Sequence, residues 1–267
     1  MTPTFMYGTA WKEQGTQELV RLALGAGFRA VDTANQRKHY FEAGVGAALA
    51  ESGIARGELF LQTKFTFAGG QDHRIPYDLQ ADPATQVQQS FESSLEHLGT
   101  GYVDSYVLHG PSRRSGLAAD DWAVWRAMEE LCRTGRARQI GVSNVALEQL
   151  VALEAGASVK PAFVQNRCYA STGWDREVRA FCAERGIVYQ GFSLLTANRR
   201  EIGGRVVRAI AERLGRTPEQ VVFRFAIEVG MLPLTGTSSA EHMRLDLACL
   251  EFELGPGDVS AIETIGY

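Results

Sequence analysis

The sequence predicts an α/β fold of the (β/α)8 TIM-barrel type, an eight-stranded parallel barrel ringed by helices, and three observations predict it. Short apolar runs alternate with longer segments of helical period from one end of the chain to the other. Eight such runs can be picked out, the number that closes a parallel barrel. Most are too short and too continuously apolar for half-exposed antiparallel strands, and such runs belong in a parallel sheet covered by helices.

Taken in order, the first strand is Phe5-Met6-Tyr7. The helix after it spans Gln17 to Ala26, where Leu19, Val20, Ala23 and Leu24 form one apolar face and Gly27 marks the stop. Strands two and three are Arg29 to Asp32 and Leu59 to Lys64. A helix from Val87 to Leu98 carries Val87, Phe91, Leu95 and Leu98 on one stripe and stops at Gly99. Strands four, five and six are Val103 to His109, Gln139 to Ser143 and Phe163 to Asn166. Gly135 and Gly186 end the helices on either side of the last two. Strand seven is Ile187 to Phe192; Thr217-Pro218-Glu219 then opens a helix, proline being suited to a first turn. Strand eight is Met231 to Leu234, and a last helix runs from Gly257 to Ile265. No linker or low-complexity tract interrupts this series, so residues 1–267 are expected to form a single domain.

Gly25-Ala26-Gly27-Phe28-Arg29-Ala30 fits the dinucleotide fingerprint G-x-G-x-x-A. That motif needs a strand before it and a helix after it, and here the order is reversed. These glycines are therefore read as a helix end.

Composition narrows the function. The formal net charge is −4, which gives no electrostatic reason to bind nucleic acid or an anionic membrane. No apolar run approaches the ~20 residues that span a bilayer. Met1 to Phe5 lacks the basic and apolar parts of a secretory leader. Cys132, Cys168, Cys182 and Cys249 are widely spaced and form no C-x-x-C pair, so they are expected to be reduced thiols in a cytoplasmic protein.

In a barrel the chemistry sits where strands end, on one rim. Strand two ends at Asp32, strand three at Lys64 and strand four at His109; strands five and six end Ser143-Asn144 and Gln165-Asn166. Gln62 and Lys64 share a parity, as do Val107 and His109, so the terminal groups can face the barrel axis. Singly, a lysine after an apolar run is an ordinary solvated strand end, and an Asp-Thr pair is an ordinary turn or cap signal. Ionisable groups closing three consecutive strands are the stronger signal.

Those residues carry a family resemblance. Phe28 to Ala34, Gln62-Thr63-Lys64, Leu98 to Asp104, Val107-Leu108-His109, Ile140 to Asn144, Val164-Gln165-Asn166 and Gly236-Thr237-Ser238 resemble the aldo-keto reductases, in order and over nearly the whole chain. The resemblance implies reduction of aldehydes or ketones by a tetrad of Asp, Tyr, Lys and His, with a nicotinamide cofactor and no metal. By motif position Asp32, Lys64 and His109 are three of the four. A phenol near pKa ~10 is a poor acid at neutral pH, and a neighbouring ammonium lowers that value, which is the part expected of Lys64 with Asp32 as its counter-ion. His109 is expected to hold the substrate oxygen.

The tyrosine departs from the family pattern D-T-A-x-x-Y. Arg37 stands at the usual tyrosine position, and the loop is lengthened to Lys38-His39-Tyr40, similar to a family subgroup. Tyr40 is the only phenol there and is expected to be the proton donor, with His39 as the alternative. Glu42 is read as a helix-start charge. The resemblance also implies that Thr9, Ser143, Asn144 and Gln165 help hold the nicotinamide. Phe192 would stack on it, and Ser193 and Leu194 would lie along the pyrophosphate. Gly236, Thr237, Ser238, His242 and Arg244 correspond to the adenine end, with Arg199-Arg200 as further charge. NADP(H) is preferred and NAD(H) is possible.

Trp11 and Phe67, with Tyr7, Phe65, Trp122 and Trp174, are candidate walls of the substrate pocket, whereas Trp125 is expected to be packing. Two long loops, Ala68 to Pro83 and Gly110 to Asp121, are expected to shape binding. The chain ends at Tyr267 soon after its last helix, which implies an open site of broad specificity. Two rival readings remain. An aldolase would use Lys64 as a Schiff-base amine but leaves Ser143-Asn144 and Gln165 unexplained. A redox-sensing regulatory protein would bind the cofactor with little turnover.

Overall fold

The eight apolar runs are eight strands, all parallel, hydrogen-bonded in sequence order into a closed barrel. They are β1 Met6–Gly8, β2 Ala30–Asp32, β3 Phe60–Phe65, β4 Val103–Leu108, β5 Ala137–Ser143, β6 Phe163–Arg167, β7 Val188–Phe192 and β8 Met231–Thr235. Met6 opposite Leu234 closes the ring. The description comes from a computed structural model covering residues 3–266. Met1, Thr2 and Tyr267, the ends that bear on a leader and on a closing loop, lie outside the described residues.

Eleven α-helices accompany the strands among the described residues. They are α1 Thr16–Ala26, α2 Glu42–Glu51, α3 Pro83–Leu98, α4 Ala119–Arg133, α5 Leu147–Gly156, α6 Arg176–Glu184, α7 Arg199–Ile202, α8 Arg205–Leu214, α9 Pro218–Glu228, α10 Ala240–Leu247 and α11 Pro256–Glu263. Their ends follow local chemistry. Gly27 stops α1 at φ 118°, a backbone conformation that favours glycine. The Thr217 hydroxyl accepts from the Gln220 N–H at the start of α9, with Pro218 in the first turn. Gly46 in α2 has a packing reason: a Cβ there would lie 2.1 Å from the carbonyl oxygen of His97, so only glycine lets α2 approach α3. The Gly25–Ala30 run falls where α1 ends and β2 begins, the wrong order for a dinucleotide turn.

Strand parity fills the barrel in two layers. Met6, Ala30, Phe60, Phe163, Leu232 and Leu234 form an apolar floor. One pleat higher stand Asp32, Gln62 and Gln165 on three of these strands and Gln190 on β7, all buried. The larger apolar cluster lies between barrel and helices and includes Trp125, as expected. All four cysteines are free, three of them buried. No helix among the described residues is long and apolar enough to cross a membrane.

Candidate active site

The polar layer is a hydrogen-bonded unit centred on Asp32. The Lys64 ammonium donates to both Asp32 oxygens at 2.7 Å and to the Thr33 carbonyl at 2.8 Å. Gln62 Nε2 and Gln165 Nε2 donate to Asp32 Oδ1 at 2.7 and 3.1 Å, and both also meet Gln190 Oε1. Thr9 fixes the rim from beside: its hydroxyl and its N–H both donate to the Asp32 carbonyl. Burial pulls Lys64 below the ordinary lysine value, and the Asp32 carboxylate opposes that pull.

The lengthened loop explains the tyrosine. Residues 36–40 make one turn, with the N–H groups of His39 and Tyr40 donating to the Gln36 carbonyl. The Gln36 side chain is tied to the Gly70 carbonyl at 2.7 Å. The turn sends three side chains three ways. Arg37, at the position where the family pattern has tyrosine, reaches Ser93 on α3. His39 goes outward, its ring 3.7 Å from that of Trp11 and its Nδ1 2.7 Å from Gln36 Oε1. Tyr40 returns over the barrel mouth, its ring 5.2 Å from Lys64 Nζ and edge-on to His109 at 5.9 Å. Of the two candidate donors, only Tyr40 stands against the Lys64–Asp32 pair.

The electrostatics differ from the sequence-based expectation in one respect. Lys64 spends its three N–H donors on Asp32 and Thr33, so none is left for the Tyr40 hydroxyl. Desolvation, with the Asp32 charge adding to it, pushes the Tyr40 phenol above the ordinary tyrosine value rather than below it. His109 moves the other way: burial, then the Lys64 charge, lowers it to about 3. Both groups are therefore uncharged at neutral pH. Glu42 opens α2 as expected, but it is also buried and accepts from Thr63 Oγ1 at 2.5 Å.

Three adjoining cavities run across this rim. The central one, about 490 Å³, is lined by Asp32, Tyr40, His109, Ser143, Gln165 and Phe192 at one end and by Ser193, Leu194, Gly236 and Thr237 at the other. It shares Leu195, Thr196 and Thr237 with a second, of about 520 Å³, that reaches Arg199, Arg208, His242 and Asp246. A third, of about 710 Å³, shares Trp11, Tyr40, His109 and Phe192 with the central one and extends to Asn144 and Arg167.

Most residues singled out in the sequence are brought to this trough, and some are not. Asn144 faces the third cavity, its Nδ2 donating to the His109 carbonyl. Ser238 and Arg244 are exposed and line none of the three cavities; Ser239, not Ser238, caps α10. Phe67 is also outside, because it follows the outward parity of Phe65 and packs edge-on against that ring. Tyr7, Phe65, Trp122 and Trp174 likewise line none of them. Trp174, for example, is buried with its indole N–H donating to the Ile262 carbonyl. The two long loops contribute no lining residue either. The loop after β3 packs outward, where Tyr77 stacks on Phe65 and its hydroxyl donates to the Thr66 carbonyl.

The sequence reading missed four groups here. Gln62 and Gln190 complete the Asp32 network, and their inward parity with Lys64 and Phe192 was the available signal. Thr66, also two residues on from Lys64, places its hydroxyl 2.7 Å from His109 Nδ1. Lys12 crosses the trough to hydrogen-bond the Gly236 carbonyl, a contact over 224 residues of sequence that no local pattern announces.

The sequence model of the Aldo/keto reductase family matches residues 4–266. The chain belongs to that family. An aldo-keto reductase of Mycolicibacterium vanbaalenii is 34% identical over 247 residues, 92% of this chain and 82% of that protein. A glyoxal reductase of Bacillus subtilis is 32% identical over 267 residues, covering 98% of this chain and 88% of the relative. Among solved structures, an aldo/keto reductase from Brucella melitensis superposes with a TM-score of 0.84 at 28% identity, over 98% of this chain and 95% of that one. An aldo-keto reductase from a deep-sea metagenome library superposes at 0.87 with 23% identity, a likeness of fold. Within this aldo/keto reductase fold, the Asp32–Lys64–Tyr40–His109 cluster sits at the C-terminal rim, where barrel enzymes carry their chemistry.

Proposed function

We propose that this aldo/keto reductase uses a reduced nicotinamide cofactor to convert aldehydes or ketones to alcohols, with Tyr40 as the proton donor. The observation that carries the reading is the convergence of Tyr40 and His109 on one cavity wall beside the buried Lys64–Asp32 pair.

The cavity residues fit the cofactor on chemical grounds. A carboxylate only accepts, so Asp32 fixes the Gln165 amide with its N–H groups inward and leaves Oε1 as an acceptor toward the central cavity. A carboxamide N–H is the complementary donor. Phe192 offers a flat face beside it. Ser193, Leu194, Gly236 and Thr237 continue the cavity for the pyrophosphate, and Lys12 supplies a cation there. At the far end Arg199 and Arg208 make no ion pair among the described residues, while Asp246 and Glu219 share the same wall. The two guanidinium groups favour the 2′-phosphate of NADP(H) over NAD(H). The bound cofactor supplies a hydride to the carbonyl carbon.

The chain's own residues manage charge. His109 and Tyr40 donate hydrogen bonds to the carbonyl oxygen and stabilise negative charge as it develops there. Tyr40 then transfers its proton to that oxygen. Lys64 lowers the energy of the resulting phenolate, and Asp32, held by Gln62 and Gln165, keeps Lys64 in place. The B. subtilis relative's name, glyoxal reductase, supports small dicarbonyls among the substrates. Free, mostly buried cysteines suit a reducing cytoplasm.

Purified protein mixed with NADPH or NADH and a panel of small aldehydes and diketones tests the reading. Carbonyl-dependent loss of the reduced-nicotinamide absorbance is expected, faster with NADPH. Cofactor binding without turnover on any carbonyl would point instead to a redox-sensing role.

A further inference from the structure

The third cavity, which shares Tyr40, His109 and Phe192 with the central one, has the features of a recognition site for a charged substrate group. Most of its polar lining is already spent. Gln36 donates to the Gly70 carbonyl and its Oε1 pairs with His39. Asn166 donates to Val145 and Asp175 and accepts from the Val145 N–H. Asp175 Oδ2 accepts from Asn166 and from the Tyr189 hydroxyl.

Arg167 is the one arginine or lysine among the described residues that line this cavity. Its side chain is exposed, and among the described residues its guanidinium makes no hydrogen bond and no ion pair, so its five N–H donors face solvent. Its direction is set by strand parity. On β6, Phe163 lies in the barrel floor and Gln165 reaches Asp32, so Arg167, two residues further, stands over the barrel mouth. Its Cζ lies 5.6 Å from the centre of the Phe192 ring, opposite it in register. That contact steadies the guanidinium by cation–π attraction while its N–H edges stay available. Phe67 and Trp174 lie elsewhere, so besides Tyr40 the aromatic part of this wall is Trp11, Tyr169 and Phe192, and Arg167 stands among them.

We infer that the substrate carries an anionic group, carboxylate or phosphate, besides its carbonyl, and that Arg167 binds that group while the carbonyl oxygen meets Tyr40 and His109. The inference rests on the reductase reading. A planar guanidinium matches either oxyanion with paired N–H···O bonds. Arg167 is then a specificity residue that acts on the distal end of the substrate and takes no part in hydride or proton transfer.

Two matched pairs test it: 4-carboxybenzaldehyde against its methyl ester, and glyceraldehyde 3-phosphate against glyceraldehyde. The native protein is expected to favour at least one anion over its neutral partner by about tenfold in kcat/KM, mainly through KM. Which pair shows the preference tells carboxylate from phosphate. In Arg167→Met the ratio should fall to near one, Arg167→Lys should keep part of it, and added salt should raise KM for the anion alone. Turnover of the neutral partners with no anion preference, or a preference that survives in Arg167→Met, overturns this inference and leaves the reductase standing. No turnover with all four compounds overturns the reductase reading, and the inference with it.

Discussion

Replacing Lys64 with methionine separates what the buried ion pair does for stability from what it does for chemistry. The Lys64 ammonium is fully buried and the Asp32 carboxylate is 5% exposed, so neither has water to fall back on. Removing one partner of such a pair costs about 3–5 kcal/mol, because the other charge stays buried without compensation. Gln62 and Gln165 still donate to Asp32 Oδ1, which places the expected loss at the lower end of that range. For a chain of this size each kcal/mol is worth about 2 °C or more, so Lys64→Met should unfold roughly 6 °C below the native protein. Adding Asp32→Asn removes the stranded charge and should recover more than half of that loss. Turnover should stay lost in both variants. Thermal unfolding followed by circular dichroism, with parallel activity assays, reads both. A single variant within 1 °C of native, or a double variant less stable than the single, would refute the argument from desolvation.

Further outcomes follow from the same geometry. Burial raises Asp246 to about 6, so the folded state holds that proton more tightly than the unfolded chain, near ~3.9. Stability from this group is therefore greatest at low pH and declines as pH rises through about 6. Asp246→Asn should raise the melting temperature at pH 7.5 and gain little at pH 4; equal gains at both would contradict the shift. Because Tyr40 is pushed up and His109 down to about 3, kcat/KM for reduction should be flat from about pH 5 to 9. An inflection near pH 6.5 that disappears in His109→Asn would count against it. Thr66 is buried, and His109 Nδ1 is its hydroxyl's sole polar partner among the described residues, so the hydroxyl donates and holds the ring proton on Nε2. Nitrogen-15 shifts of His109 should report the Nε2–H form in the native protein and in Thr66→Ser, and a mixture in Thr66→Val; an Nδ1–H native ring would exclude the assignment.

Most of the fold was legible because the barrel is written locally. Each strand is a short apolar run, and glycines such as Gly27 and Gly99 mark the helix ends. Strand bounds move by a residue or two, as at Val188, where the expected run starts at Ile187. The meeting of Asp32, Lys64 and His109 on one rim was readable because strand ends converge there whatever the loops do. Tyr40 was readable only through its loop, and the turn at residues 36–40 supplies the physical reason: it spends the extra length on one turn that brings the phenol back over Lys64.

What the sequence did not yield depends on contacts between distant elements. An aromatic residue beside an active strand looks like a pocket wall, yet Phe67 has the wrong parity to reach the mouth. Ser238 and Ser239 are indistinguishable by type, and the hydrogen bond to the His242 N–H selects Ser239 as the cap. The direction of the Tyr40 shift was also hidden. A nearby lysine suggests a lowered phenol, but Lys64 has no free N–H for it once Asp32 and Thr33 are counted.

The most direct test of the account is Tyr40→Phe, measured for cofactor affinity by fluorescence quenching and for carbonyl reduction under saturating NADPH. Affinity within about twofold of native is expected, with kcat lower by about 10²–10⁴, the usual worth of a general acid. Unchanged kcat would contradict it, and would return His39 or a water molecule to the role of proton donor.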